Sequence, residues 1–261
     1  MKKYIVLILI FCFSFFCFGC NKNEQKLNDL EKIKKRGYLI VGVKTDSAPF
    51  GFYNKKNELV GIDIDIAQEI ANEIFKNNSK TNVKFIPVTP QNRISKLNSK
   101  EVDILVATMS INNKRKLILE FSQPYFVATQ KILVRNTSKI TYLQYFNKNG
   151  KLAVIMGTTG ERIAHLIAPN ANLVGTKTYT EAHRLLLEKK VDAILGDDCI
   201  LKGFDDRHLK LINKAYSREF YAVALRKSQD SKELLNLVNS TIASILDNKK
   251  LNFISKKWIL Y

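Results

Sequence analysis

Beyond residue 26 the apolar positions alternate between two periods. In LNDLEKIKKRG, Leu27, Leu30 and Ile33 fall on one face at helical spacing, and Gly37 stands where such a helix stops. YLIVGV then reads as a strand, GIDIDIAQEIANEIF as a helix, VKFIPV as a strand, QNRISKLNS as a helix and VDILVAT as a buried strand. The second half repeats this logic with KLAVIMG, ERIAHLIA, YTEAHRLLLEKK and VDAILGD. Alternating strands and helices predict an α/β chain with parallel sheets and ligand sites at the carboxyl ends of strands. The strands that begin at Val102 and Val191 each run into polar residues, where a cleft would sit.

The first twenty residues follow a different rule. MKK precedes the apolar run YIVLILIFCFSFFCF and then Gly19-Cys20, the order of an export signal. That run is shorter than the roughly 20 residues that span a bilayer comfortably. Cys12 and Cys17 each follow a phenylalanine, whereas Cys20 follows a small residue, so CFGC resembles a bacterial lipobox. Cys17 stands where a lipobox usually has leucine. Processing there would make Cys20 the lipidated first residue and leave Cys199 as the other cysteine, so no disulfide could form within the chain. An uncleaved anchor or simple secretion is the alternative. NKNEQKLND reads as a tether between membrane and folded part.

Hydrophobic residues make up 46% of the 261, enough for a real core in one or two lobes. The formal charge of +18 raises nucleic acid or an anionic membrane surface as partners. The lysines, however, are scattered singly and in pairs, with no long basic block or aromatic-interleaved stripe, so nucleic acid is not expected.

Within ATMSINNKRKLILEF, Arg115 follows the hydroxyl and amide residues Thr108, Ser110 and Asn112 at the end of a buried strand. Catalysis finds little support. His165, His183 and His208 have no nucleophile nearby in sequence, and the chain lacks H-E-x-x-H, paired-cysteine zinc spacing and a phosphate loop. GTTG lacks the three-glycine dinucleotide spacing, and no cofactor or metal is expected.

LEKIKKRGYLIVGVKTDSAPFGF, GIDIDIAQEIA, ATMSINNKRKLILEFSQPY, KLAVIMGTTGERIA, VDAILGDD and EFYAVALRKS together resemble the bacterial solute-binding proteins of family 3. These proteins bind polar amino acids for ABC importers. The resemblance runs in order from about Leu30 to the final ISKKW. It implies a two-lobed periplasmic-binding-protein-like fold of type II, each lobe a mixed, mostly parallel sheet with flanking helices, joined by two crossover hinge strands. Residues 1–20 would be the signal peptide with lipobox and 21–36 the tether and first helix. Residues 37–128 plus 223–261 would form lobe 1, and 129–222 lobe 2.

The same resemblance assigns roles. Arg115 would fork onto the ligand α-carboxylate, with Ser110, nearby backbone amides and Thr159 completing its shell. Asp197 would accept the ligand ammonium. IPVTPQNRISKL is similar to the matching segment of glutamate- and aspartate-binding members, where the residue at the place of Arg93 reads the side-chain carboxylate, Lys44 points into the pocket and Thr108 joins them. Ser47 replaces the tyrosine expected before APF, and Ile62 replaces the usual aromatic after Gly61. A buried second carboxylate needs extra fixed cations, so the implied ligand is glutamate or aspartate.

The resemblance therefore implies an exported, lipid-anchored monomer at the outer face of the membrane that delivers an amino acid to ABC permease subunits. Cyclohexadienyl dehydratases resemble the same proteins and act on a dicarboxylate, so an enzyme is one alternative. A surface adhesin or sensor domain is another.

Overall fold

The computed structural model describes residues 27–77, 82–204 and 206–259, the last without its side chain; Cys20 and the export segment lie outside the described residues. Helix α1 (Asp29–Arg36) starts at a capping box in which Asn28 accepts the Glu31 N–H and Glu31 accepts the Asn28 N–H. Gly37 ends it at φ 85°, the left-handed stop expected there.

Two sheets form the framework. The first contains β1 (Leu39–Val43), β5 (Val83–Pro87), β6 (Ile104–Leu105), β7 (Leu119–Phe121) and β14 (Ala224–Arg226), in the order β5-β1-β6-β14-β7. β1, β5 and β6 are parallel, whereas β14 runs antiparallel to both neighbours. Helices α2 (Ile62–Phe75) and α3 (Arg93–Asn98) pack on this sheet, with α8 (Lys232–Asp247) and α9 (Lys250–Ile259) from the end of the chain beside α2. A small antiparallel sheet of β2 (Asp46–Ser47), β3 (Gly51–Tyr53) and β4 (Leu59–Val60) fills the connection from β1 to α2.

The second sheet runs β10-β9-β11-β8-β12, from β8 (Phe126–Arg135), β9 (Lys151–Ile155), β10 (Asn172–Thr176), β11 (Ala193–Asp197) and β12 (Leu209–Leu211). β9, β10 and β11 are parallel, and β8 and β12 add antiparallel pairs. α5 (Thr159–Ile167), α6 (Tyr179–Leu187) and α7 (Asp198–Lys202) flank it. Both sheets are thus mixed, with parallel strands where a helix makes the return, as the helix-strand alternation predicts.

The chain passes between lobes twice. β8 pairs with β13 (Arg218–Tyr221) over Phe126–Thr129, then enters the second sheet beside β11 from Gln130 onward. Around this crossing the Ser122 N–H donates to the Val223 carbonyl at 2.9 Å, and the Tyr125 N–H donates to the Tyr221 carbonyl at 2.8 Å. Phe50, Phe126 and Tyr221 pack there ring against ring, with centroids 4.9 to 5.9 Å apart. Backbone pairing and aromatic packing thus join the two lobes where the chain crosses.

Candidate functional site

The two lobes meet at a narrow cleft lined by Lys44, Pro90, Arg93, Thr108, Ser110, Arg115, Thr158, Thr159, Tyr179 and Asp197. All seven binding residues expected from the sequence meet there. Lys44 follows β1, Arg93 opens α3, and Thr108, Ser110 and Arg115 follow β6, so one lobe supplies five of them from the loops and short helices that follow its parallel strands. Thr159 opens α5 and Asp197 ends β11 in the other lobe. The sites lie at strand carboxyl ends because helix returns leave those ends open.

Arg115 is held by its own loop. Asn112 caps α4 (Asn113–Lys116) by accepting the Arg115 N–H at 2.8 Å, and the Arg115 Nη1 donates to the Ser110 carbonyl at 2.7 Å. Its Nη2 reaches across the cleft to the Gly157 carbonyl at 3.3 Å. The guanidinium therefore touches both lobes with its planar fork fixed. Facing it, α5 presents its first-turn N–H groups, which lack helical partners and favour an anion. The Thr159 hydroxyl donates to Glu219 at 2.8 Å, so it is engaged within the protein.

Asp197 is 6% exposed and accepts from the Gln130 Nε2 at 2.7 Å and the Tyr179 hydroxyl at 3.3 Å. Burial pushes its carboxyl up to about 7, aided by Glu219 and Asp198 and opposed by the tyrosine hydroxyls. A cation entering beside it would reverse that shift.

Arg93 is 3% exposed; its Nη1 donates to the Ala107 carbonyl at 2.8 Å, and its Nε has no partner among the described residues. Burial lowers the guanidinium to about 9, with Arg115 acting the same way and Asp197 opposing. Thr108 occupies the left-handed region at φ 46°, with its N–H donated to the Asp63 carboxylate at 3.0 Å.

Lys44 differs from its expected state. It is 2% exposed, and its Nζ lies 2.6 Å from the Asp46 carboxylate. Burial lowers the ammonium below its ordinary value, and Asp46 opposes this. Its charge is already matched within the protein.

Sequence reasoning passed over Asp46, Asp63, Gln130, Tyr179 and Glu219. Asp63 is fully buried in GIDIDIAQ, where an aspartate on the apolar face of a helix was the available signal. Glu219 is 4% exposed in EFYAVALRKS, and its role appears only when β13 meets α5. Among the described residues no group of three or more histidine, cysteine, aspartate or glutamate side chains could hold a metal. No helix among them is long and apolar enough to cross a membrane.

Residues 39–261 match the model of the bacterial extracellular solute-binding proteins, family 3. The chain is 33% identical over 262 residues to the ABC transporter glutamine-binding protein of Bacillus subtilis (strain 168), covering 99% of this chain and 94% of that protein. It is 28% identical over 241 residues to the glutamate/aspartate import solute-binding protein of Escherichia coli (strain K12), covering 88% and 78%. Its structure superimposes with a TM-score of 0.80 and 31% identity on an ancestral amino acid-binding protein described as a precursor of cyclohexadienyl dehydratase, covering 89% of this chain and 99% of that one.

Proposed function

Because the chain belongs to the bacterial extracellular solute-binding proteins of family 3, we propose that it closes its two lobes on a free amino acid with a neutral polar side chain, of the glutamine class, and presents it to an ABC importer. The observation that carries this is the pairing of Arg115 and Asp197 from opposite lobes in one buried cleft. A bidentate cation with a helix N-terminus suits an α-carboxylate, and a buried carboxylate held by Gln130 and Tyr179 suits an α-ammonium. Residues 37–128 plus 223–261 and residues 129–222 would be the two bodies that move, with β8 and β13 as hinge.

Charge balance chooses the side chain. The cleft and its walls hold the cations Lys44, Arg93 and Arg115 beside the carboxylates of Asp46 and Glu219 and the buried carboxyls of Asp63 and Asp197, both raised to about 7. A zwitterion leaves that balance unchanged, whereas a second ligand carboxylate adds a buried negative charge that must find a cation. Lys44 is paired with Asp46, so Arg93 alone would face it. The glutamine-binding relative in Bacillus subtilis supports the neutral reading. The unpartnered Arg93 Nε favours a second reading, glutamate or aspartate, in line with the relative from Escherichia coli.

Binding and release account for this site without a reaction. The ancestral structure keeps the dehydratase reading open to test, since a dicarboxylate would also have to meet Arg93 and Arg115. Incubating the protein with prephenate or arogenate should yield no aromatic product; product formation above background would replace binding with catalysis. Lipid anchoring through Cys20 is part of the proposal. Cys20→Ala should block labelled palmitate incorporation, and undiminished labelling would remove that part. The test of function itself is a calorimetric screen of the twenty amino acids against ligand-stripped protein, in which saturable binding of at least one is required.

A further inference from the structure

Lys44 and Asp46 stand side by side in GVKTDSAPF but face different spaces. Lys44 lines the cleft, whereas Asp46 lines a neighbouring groove with Ala48 and Phe52 from one lobe and Thr180, Ile200 and Phe204 from the other. The pair therefore forms the partition between cleft and groove. Asp46 Oδ1 accepts from the Lys44 Nζ at 2.6 Å and from the Ser47 hydroxyl at 3.2 Å. Its other oxygen accepts the Tyr179 N–H at 3.0 Å, at the start of α6 in the opposite lobe. One carboxylate thus touches a cleft cation on its own lobe and a helix N-terminus on the other.

We propose that Asp46 is the residue that excludes acidic side chains from the cleft, by neutralising Lys44, and that the same carboxylate latches the closed lobes through the first turn of α6. The inference rests on the amino-acid reading of the cleft.

The two functions follow from one geometry. Lys44 lies beyond the reach of solvent screening, so whether it can serve an incoming carboxylate depends on its partner. With Asp46 at 2.6 Å, a ligand carboxylate at Lys44 would have to share that ammonium with a fixed anion of like charge. The α6 contact exists only when the lobes meet. A carboxylate at a helix N-terminus is favourably placed, so closure gains an anion-to-dipole contact that the open form lacks. Because Oδ1 serves Lys44 and Oδ2 serves Tyr179, the two roles can be separated by substitution.

The experiment measures dissociation constants for glutamine and glutamate on the full-length chain and its variants, with folding checked by melting temperature. Asp46→Asn keeps an oxygen acceptor for the Tyr179 N–H and removes the charge from Lys44. It should raise glutamate affinity relative to glutamine at least tenfold. Asp46→Ala should raise the same ratio and also weaken glutamine severalfold, because the latch is lost. Adding Lys44→Met to Asp46→Ala should return the ratio to the wild-type value. A ratio within twofold of wild type in folded Asp46→Asn would overturn the inference while leaving the amino-acid reading intact. If the folded wild type binds neither glutamine nor glutamate, the glutamine-class reading falls, and this inference with it.

Discussion

The carboxylate of Asp63 receives the backbone N–H of Thr108 at 3.0 Å and so pins a turn that sits in the left-handed region at φ 46°. The Tyr125 hydroxyl donates to the other oxygen at 2.8 Å. This buried carboxylate ties α2 to the loop that carries Thr108, Ser110 and Arg115. Asp63→Ala should cost about 1 to 3 kcal/mol, the usual penalty for orphaning a buried donor. Urea denaturation measures it, and an unchanged midpoint would show that the turn holds itself.

The same residue makes a signed prediction in pH. Burial raises Asp63 to about 7 from a reference of 3.8, so the fold holds its proton more tightly than the unfolded chain does. Its contribution to stability is complete below the reference value and is lost as pH rises through about 7. Asp63→Asn does not titrate, so its stability relative to wild type should improve steadily between pH 4 and 7. Paired urea titrations at pH 5 and 7.5 test this; an Asp63→Asn variant that loses stability relative to wild type as pH rises would reverse the assigned sign.

Asp197 predicts how the ligand responds to pH. Burial in the cleft holds its carboxyl at about 7, whereas a bound ammonium requires the ionised form. Affinity should fall by up to tenfold per pH unit below about 7, with a proton released on binding. Calorimetry in buffers of different ionisation heat reads the proton directly, and an affinity that is flat to pH 5 would show Asp197 solvated before closure.

Gly157 tests the closed arrangement. Its φ is 78°, and a Cβ there would lie 3.1 Å from the backbone of Pro90 across the cleft. Gly157→Ala should weaken every amino acid by a similar factor, on the order of tenfold for 1 to 2 kcal/mol of strain. A loss confined to one ligand would place Gly157 at the side chain instead of the closure seam.

How much of this was legible beforehand varies with distance along the chain. Arg115 and Asp197 were legible through the resemblance of ATMSINNKRKLILEFSQPY and VDAILGDD to family 3, since each segment carries its residue at the end of a buried strand. The helix-strand alternation likewise set the parallel strands of both sheets. The antiparallel strands β8, β12, β13 and β14 were not legible as such, since their partners come from far along the chain. Asp63 meets Thr108 at a separation of 45 residues, Glu219 meets Thr159 at 60, and Asp46 meets Tyr179 at 133. Lys44 shows the consequence. The resemblance implied its position in the cleft, but Asp46, two places on, became its partner only through the turn that the fold imposes.

The central claim is that Arg115 and Asp197 hold the backbone of an amino acid whose side chain carries no net charge. Dissociation constants for glutamine, glutamate and aspartate should therefore be measured on ligand-stripped wild type and on Arg115→Ala. The account predicts that glutamine binds at least tenfold more tightly than glutamate or aspartate and that Arg115→Ala abolishes all three while remaining folded. Glutamate binding tighter than glutamine, or Arg115→Ala retaining wild-type affinity, would contradict it.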